Sequence, residues 1–109
     1  LNNQRIKVSK KKDIDECLFA IGENLNKEPD LLSRKSGCAA LDLAYVAAGR
    51  YDGYFQKKLN LWDIASGVLL VQEAGGIVSE INIRKLKNLN IIASNSNINQ
   101  EFQKKIPNF

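Results

Sequence analysis

Apolar residues fall in short blocks whose period changes along the chain, and each change marks an element. Arg5, Ile6, Lys7, Val8 and Ser9 alternate polar and apolar, which predicts a half-exposed edge strand after turn chemistry at Asn2 and Asn3. An acidic lead-in at Asp13, Asp15 and Glu16 precedes a continuous apolar block over residues 17–21 that stops at Gly22, the pattern of a buried strand. Residues 23–33, interrupted by Pro29, leave room for one short helix or a loop. Residues 34–37 read as a brief extended segment entering a helix at Cys38. Over residues 38–48, Leu41, Tyr45 and Ala48 share one face, while Leu43, Val46 and Ala47 are apolar too. A helix apolar nearly all round is one buried between layers, and Gly49 is placed to cap it.

The second half repeats the alternation. Residues 51–56 read as a turn followed by an aromatic strand, and residues 57–60 as a polar loop ending on Asn60, a candidate helix cap. A helix beginning near Trp62 packs through Ile64, Ala65, Val68, Leu69 and Val71 and breaks at Gly75 and Gly76. Residues 77–81 read as a strand, 82–90 as a basic loop, and 91–95 as a last buried strand. Asn95 or Asn97 then caps a closing helix to about Ile106. Strands and helices alternate throughout, which argues a layered α/β domain.

Composition narrows the classes. The 109 residues, 44% apolar and 26% charged, suffice for one modest domain with its own core. No apolar run approaches the ~20 residues of a membrane span, and nothing at the start resembles a signal peptide. Cys17 and Cys38 make no metal-ligand spacing, so a reduced, cytoplasmic protein is expected. The net charge of +4 comes with lysines at 10–12, 57–58 and 104–105, scattered rather than gathered on one face. They read as solvated charge and permit a nucleic-acid surface without requiring one. The absence of histidine removes zinc-peptidase motifs, Ser-His-Asp triads and any histidine base from this chain, and with it a way to activate Cys38 as a nucleophile.

Asp63 is the first candidate for chemistry. A carboxylate at a helix N-terminus sits among unpaired backbone N–H groups at the positive end of the macrodipole, where phosphate is also attracted. Such a place suits a hard metal ion meeting a phosphoryl group. Position alone favours reading Asp63 as a helix-stabilising residue. Gly37 likewise permits either close approach of a ligand or a tight strand-to-helix turn. Trp62 reads as core packing beside the site. Glu73, towards the far end of the same helix, suits packing or hydrogen bonding rather than general-base work.

Trp62, Asp63, Ala65 and Gly67, followed by Glu73, Ala74, Gly75 and Gly76, resemble the second signature of the inositol monophosphatase family. Residues 37–50 and the pair Asp52 and Gly53 strengthen the resemblance, which covers residues 2–106. It implies the C-terminal domain of the sugar-phosphatase superfamily, a layered sandwich of mixed β-sheet and helices. It implies magnesium-dependent hydrolysis of a small sugar or polyol phosphate monoester such as myo-inositol monophosphate, with Asp63 as a magnesium ligand. Gly37, Cys38 and Ala39 match the stretch that contacts the sugar ring. Gln56 stands where the family usually carries a glutamate that accepts from a ring hydroxyl, so altered substrate preference is expected. Arg34 matches an arginine near the substrate and subunit contact, and a structural salt bridge accounts for it as well. The family builds its metal cluster mainly from an N-terminal domain, with a glutamate and an Asp-Pro-x-Asp-Gly-Thr signature that these residues lack. The chain also opens on Leu1, in what reads as the middle of a β-region. The expectation is therefore a C-terminal domain, residues 1–109, inactive by itself and partnered by that N-terminal half, in a full-length protein that forms a homodimer as relatives commonly do. Related readings keep the chemistry but take histidinol phosphate, fructose bisphosphate or a 3′-phosphoadenosine compound. A different class of reading is a non-catalytic module touching RNA or the transcription machinery.

Overall fold

Alternation along the strands divides the interior into two cores. The computed structural model describes residues 6–22, 29–79 and 84–106. Five strands, β1 (Phe19–Ile21), β2 (Ser33–Arg34), β3 (Gly53–Leu59), β4 (Ile77–Val78) and β5 (Leu89–Ser94), form one mixed sheet in the order β2-β1-β3-β5-β4. β1 runs parallel to both β2 and β3, whereas β5 is antiparallel to β3 and β4. Successive side chains point to opposite faces of a sheet. Ala20, Tyr54, Ile91 and Ala93 accordingly join one core, with helices α1 (Ala39–Ala47) and α2 (Leu61–Glu73). Phe19, Ile21, Phe55 and Ile92 join the other, with α3 (Asn99–Lys105). The Phe19 and Phe102 rings meet there at 4.3 Å between centroids. The fold is thus helix, sheet, helix: the α/β sandwich that the alternating pattern predicts.

Parallel pairing decides where the helices begin. A helix that follows a strand of a parallel set starts near that strand's carboxyl end, and ligands of open α/β sheets bind there. α1 follows β2 and α2 follows β3, so their N-termini come to the same edge as the ends of β1 and β3. Gly49 and Gly75 end the two helices in the left-handed region, at φ +77° and +88°.

Several expectations change. Ile6 to Ser9 form no strand; Val8 N donates to Ala74 O at 3.1 Å, and Ile6 and Val8 lie against the α1–α2 core. The acidic lead-in folds as a short 3-10 helix, Ile14–Glu16, whose Asp13 carboxylate accepts from Asp15 N. Lys57 and Lys58 belong to β3 rather than to a loop. The strand continues past a bulge after Gln56, with Lys58 at φ 59°. The closing helix starts at Asn99, and Asn95 holds the turn before it through Oδ1, which accepts from Ile98 N at 3.1 Å. The turn at Asn2 and Asn3, the segment 23–28 and the end of the strand expected over 77–81 lie outside the described residues.

The largest departures are on the helix surfaces. α1 buries Leu43, Val46 and Ala47 but leaves Leu41 exposed, and α2 buries Ile64 and Val71 but exposes Leu69. Trp62 is not packed in a core: it is 80% exposed. On α2, Trp62 and Leu69 are seven residues apart on the pole facing away from the core, where a solvent-facing helix carries polar side chains.

Candidate active-site cleft

The chain's chemistry-bearing residues gather where those two helices begin. Ser36 Oγ accepts from Cys38 N at 3.2 Å and donates to Asp42 Oδ1 at 2.6 Å, so one hydroxyl ties the turn before α1 to its first turn. Asp42 is buried, and burial raises its carboxyl above the ordinary value of 3.8 while the Ser36 hydrogen bond pulls the other way. Cys38 and Asn60 stand at the N-cap positions of α1 and α2, and neither makes a side-chain cap hydrogen bond. The first-turn N–H groups of both helices are therefore left without a side-chain acceptor from the cap.

Between these helix starts lies a cleft of about 570 Å³, and Gly37, Cys38, Ala39, Gln56 and Asp63 all line it. Lys58, Asn60 and Trp62 line it as well. Two helix N-termini aimed at one space add their positive ends, which makes the cleft a place for an anion. Asp63, exposed in the first turn of α2, is the one carboxylate among the described residues that lines it. At the floor, the Tyr54 hydroxyl donates to Gln56 Oε1. Burial first, and then the Asp42 and Cys38 charges, push the Tyr54 phenol well above its ordinary range, so it stays a donor.

Arg34 is the expected site residue that falls outside. It is exposed at the end of β2, lines no part of the cleft, and makes no ion pair among the described residues. Glu73 sits at the far end of α2, beside a separate cavity lined by Lys7, Lys10 and Asn97. Asp52 lies at the opposite end of β3 from the cleft. It accepts from Leu18 N at 2.8 Å and pairs with Lys11 Nζ at 3.3 Å, which makes it a structural anchor.

Lys58, Tyr54 and Asp42 escaped the sequence reading. Lys58 looked like one cation of a polar loop, since the bulge that places it at the cleft rim has no one-dimensional signature. Asp42 was hidden in an otherwise apolar helix; Ser36 upstream of a first-turn carboxylate was the signal that could have found it.

A group that could hold a metal by itself, three or more of His, Cys, Asp and Glu, does not occur among the described residues. Magnesium takes six oxygens, usually from one or two carboxylates, waters and substrate phosphate. Asp63 is exposed, carries no side-chain hydrogen bond or ion pair to another described residue, and fits as one such ligand; the described residues do not complete the set.

A mixed sheet between helical layers, with a cleft at paired helix N-termini, defines a layered α/β domain. The signature of the Inositol monophosphatase family matches residues 1–107, and the chain belongs to that family. The "Nus factor SuhB" of Pseudomonas aeruginosa is 41% identical over 97 residues, covering 73% of this chain and 36% of the relative. The "Inositol-1-monophosphatase" of Caulobacter vibrioides is 31% identical over 121 residues, covering 94% of this chain and 47% of the relative. The solved structure of an IMPase from Thermotoga maritima superposes with a TM-score of 0.82 at 36% identity, over 94% of this chain and 45% of that one. The chain thus spans less than half the length of each of these relatives.

Proposed function

We propose that this chain is the substrate-side domain of a magnesium-dependent phosphatase acting on a small phosphorylated polyol or sugar. The observation that carries the reading is the convergence of two helix N-termini, uncapped by side chains, on a cleft with one carboxylate, among the described residues, at its rim. The N–H groups of α1 and α2 attract the phosphate, and the backbone at Gly37 and Ala39 lets the sugar ring approach closely. Cys38 contributes small volume there and a weak donor. Asp63 donates oxygen to the metal. Magnesium, when bound, supplies charge neutralisation at the phosphoryl oxygens.

The remaining metal ligands come from a second half of the full-length protein, the N-terminal domain that the family resemblance implies. The apolar outer pole of α2, Trp62 and Leu69, supports that reading, because it continues from the cleft rim and suits burial against another layer. Free thiols at Cys17 and Cys38 suit a cytoplasmic, reducing setting, and a homodimer is the assembly we assign to the full-length form.

The test is phosphate release by the full-length protein with magnesium, comparing wild type with Asp63→Asn. A metal ligand lost should lower turnover by more than about 100-fold, the upper end of what an outer-shell partner costs. Unchanged turnover in the variant removes Asp63 from the metal site. A second reading, an interaction module for RNA or the transcription machinery, draws on the name Nus factor carried by the Pseudomonas aeruginosa relative. Absent hydrolysis together with RNA binding that weakens steeply with salt would favour it.

A further inference from the structure

Gln56 is a side chain with one end already committed. Its Oε1 accepts from the Tyr54 hydroxyl, so the amide NH2 is the end left for the cleft. Tyr54 is fully buried in the α1–α2 core, so the hydroxyl that orients the amide is itself immobile. Gly22 holds the same side chain from the other side. A Cβ at Gly22 would lie 2.2 Å from Gln56 Cγ and 2.4 Å from Cδ, so Gln56 occupies the space that a bare glycine leaves at the end of β1. The amide is both oriented and packed, and what it presents is a donor.

Two residues on, Lys58 lines the same cleft. It occupies a left-handed backbone conformation, φ 59°, that residues other than glycine rarely adopt. The bulge in β3 imposes that conformation, and Asn90 Oδ1 stabilises it by accepting from Lys58 N at 3.2 Å. Strained conformations of this kind persist where the surroundings over-determine them, and bulges re-aim side chains. Lys58 makes no ion pair among the described residues. The strand side of the cleft therefore offers an amide donor and, at the exposed rim, a lysine; a hydroxyl can use a donor or an acceptor, whereas an anionic group uses donors alone.

We propose that Gln56 and Lys58 form a second anion subsite, so that the preferred substrate carries a further anionic group besides the phosphate lost, as a polyol or sugar bisphosphate does. Gln56 Nε2 and Lys58 Nζ bind that second group, and Tyr54 is a positioning residue acting through Gln56. The proposal rests on the phosphatase reading and deepens it by naming the substrate class.

The test uses the full-length protein with magnesium and a matched pair of probes, myo-inositol monophosphate and a myo-inositol bisphosphate. Equilibrium binding by calorimetry and phosphate release are both measured. Wild type should prefer the bisphosphate by about tenfold or more, the worth of one charge-assisted hydrogen bond. Gln56→Glu, which places an anion where the donor was, should abolish or reverse the preference. Lys58→Gln should reduce it, and keeps the test decisive if Gln56→Glu fails to fold. Tyr54→Phe should also narrow it, yet add nothing further in the Gln56→Glu background, an outcome that a merely structural role would not give. Equal affinity for both probes in wild type, no binding of either, or a preference that survives Gln56→Glu and Lys58→Gln overturns the subsite. Bisphosphate preference in binding without release of phosphate would instead overturn the phosphatase reading and leave the subsite standing.

Discussion

Cys17 and Cys38 carry the same thiol into opposite surroundings. Cys17 is buried, donates to Asp13 O, and is pushed up to about 11, by burial first and then by the Asp52 charge. Cys38 is exposed at the cleft. Thiolate is the reactive form, so Cys17 should resist alkylation at neutral pH until the fold opens. Iodoacetamide on the native protein should label one thiol quickly, mapped by peptide mass to Cys38. Fast labelling of both would mean that the core around Cys17 opens readily. Asp63 and Asp42 are a second such pair. Both are first-turn carboxylates, yet one is exposed at the cleft and the other is buried under Ser36. Residue type and helix position are shared by the two and were readable in the chain. Burial was not, because it depends on what the other elements put on top.

At the scale of elements, the crossing of α1 and α2 sets the width of the cleft that opens between their first turns. Gly67 is the contact: a Cβ there would lie 2.6 Å from Leu43 Cβ and 2.7 Å from Cδ1. Gly67→Ala gains helix propensity of about 1 kcal/mol but overpacks a buried helix crossing at a cost of about 1–3 kcal/mol. The variant should be less stable by up to about 2 kcal/mol in urea unfolding. An increase in stability would mean that the two helices are not held at this spacing. The existence and type of α1, α2, β1, β3 and β5 followed from period and composition. The strand expected over residues 5–9 did not form over its described part, 6–9, because its neighbour is the C-terminal end of α2, to which Val8 donates, and not a sheet edge. Alternation alone does not say which partner a chain will find.

At the scale of the whole molecule, the apolar side chains left uncovered are the informative ones. Scattered exposed apolar residues are ordinary, but Trp62 and Leu69 share the outer pole of one helix beside the candidate site. In the 109-residue chain, the Trp62 indole should emit at long wavelength and be quenched freely by iodide. Joined to the N-terminal half proposed above, the chain should show emission shifted to the blue and weaker quenching. Equal quenching in both would show that this face stays open to water and that no second layer covers it.

Sequence by itself determined the alternation of strands and helices, the stops at Gly49 and Gly75, and the motif around Asp63, because each depends on residues near in the chain. Only the tertiary structure decided that Gly37, Gln56, Lys58 and Asp63 share one cleft, that Arg34 stands apart from it, and that Trp62 faces outward. Those outcomes come from parallel pairing of β1 with β2 and β3, which carries two helix starts to one edge of the sheet, and from a bulge in β3 that leaves Lys58 at the rim of the cleft. Strand order and pairing register are long-range choices, and no local period encodes them.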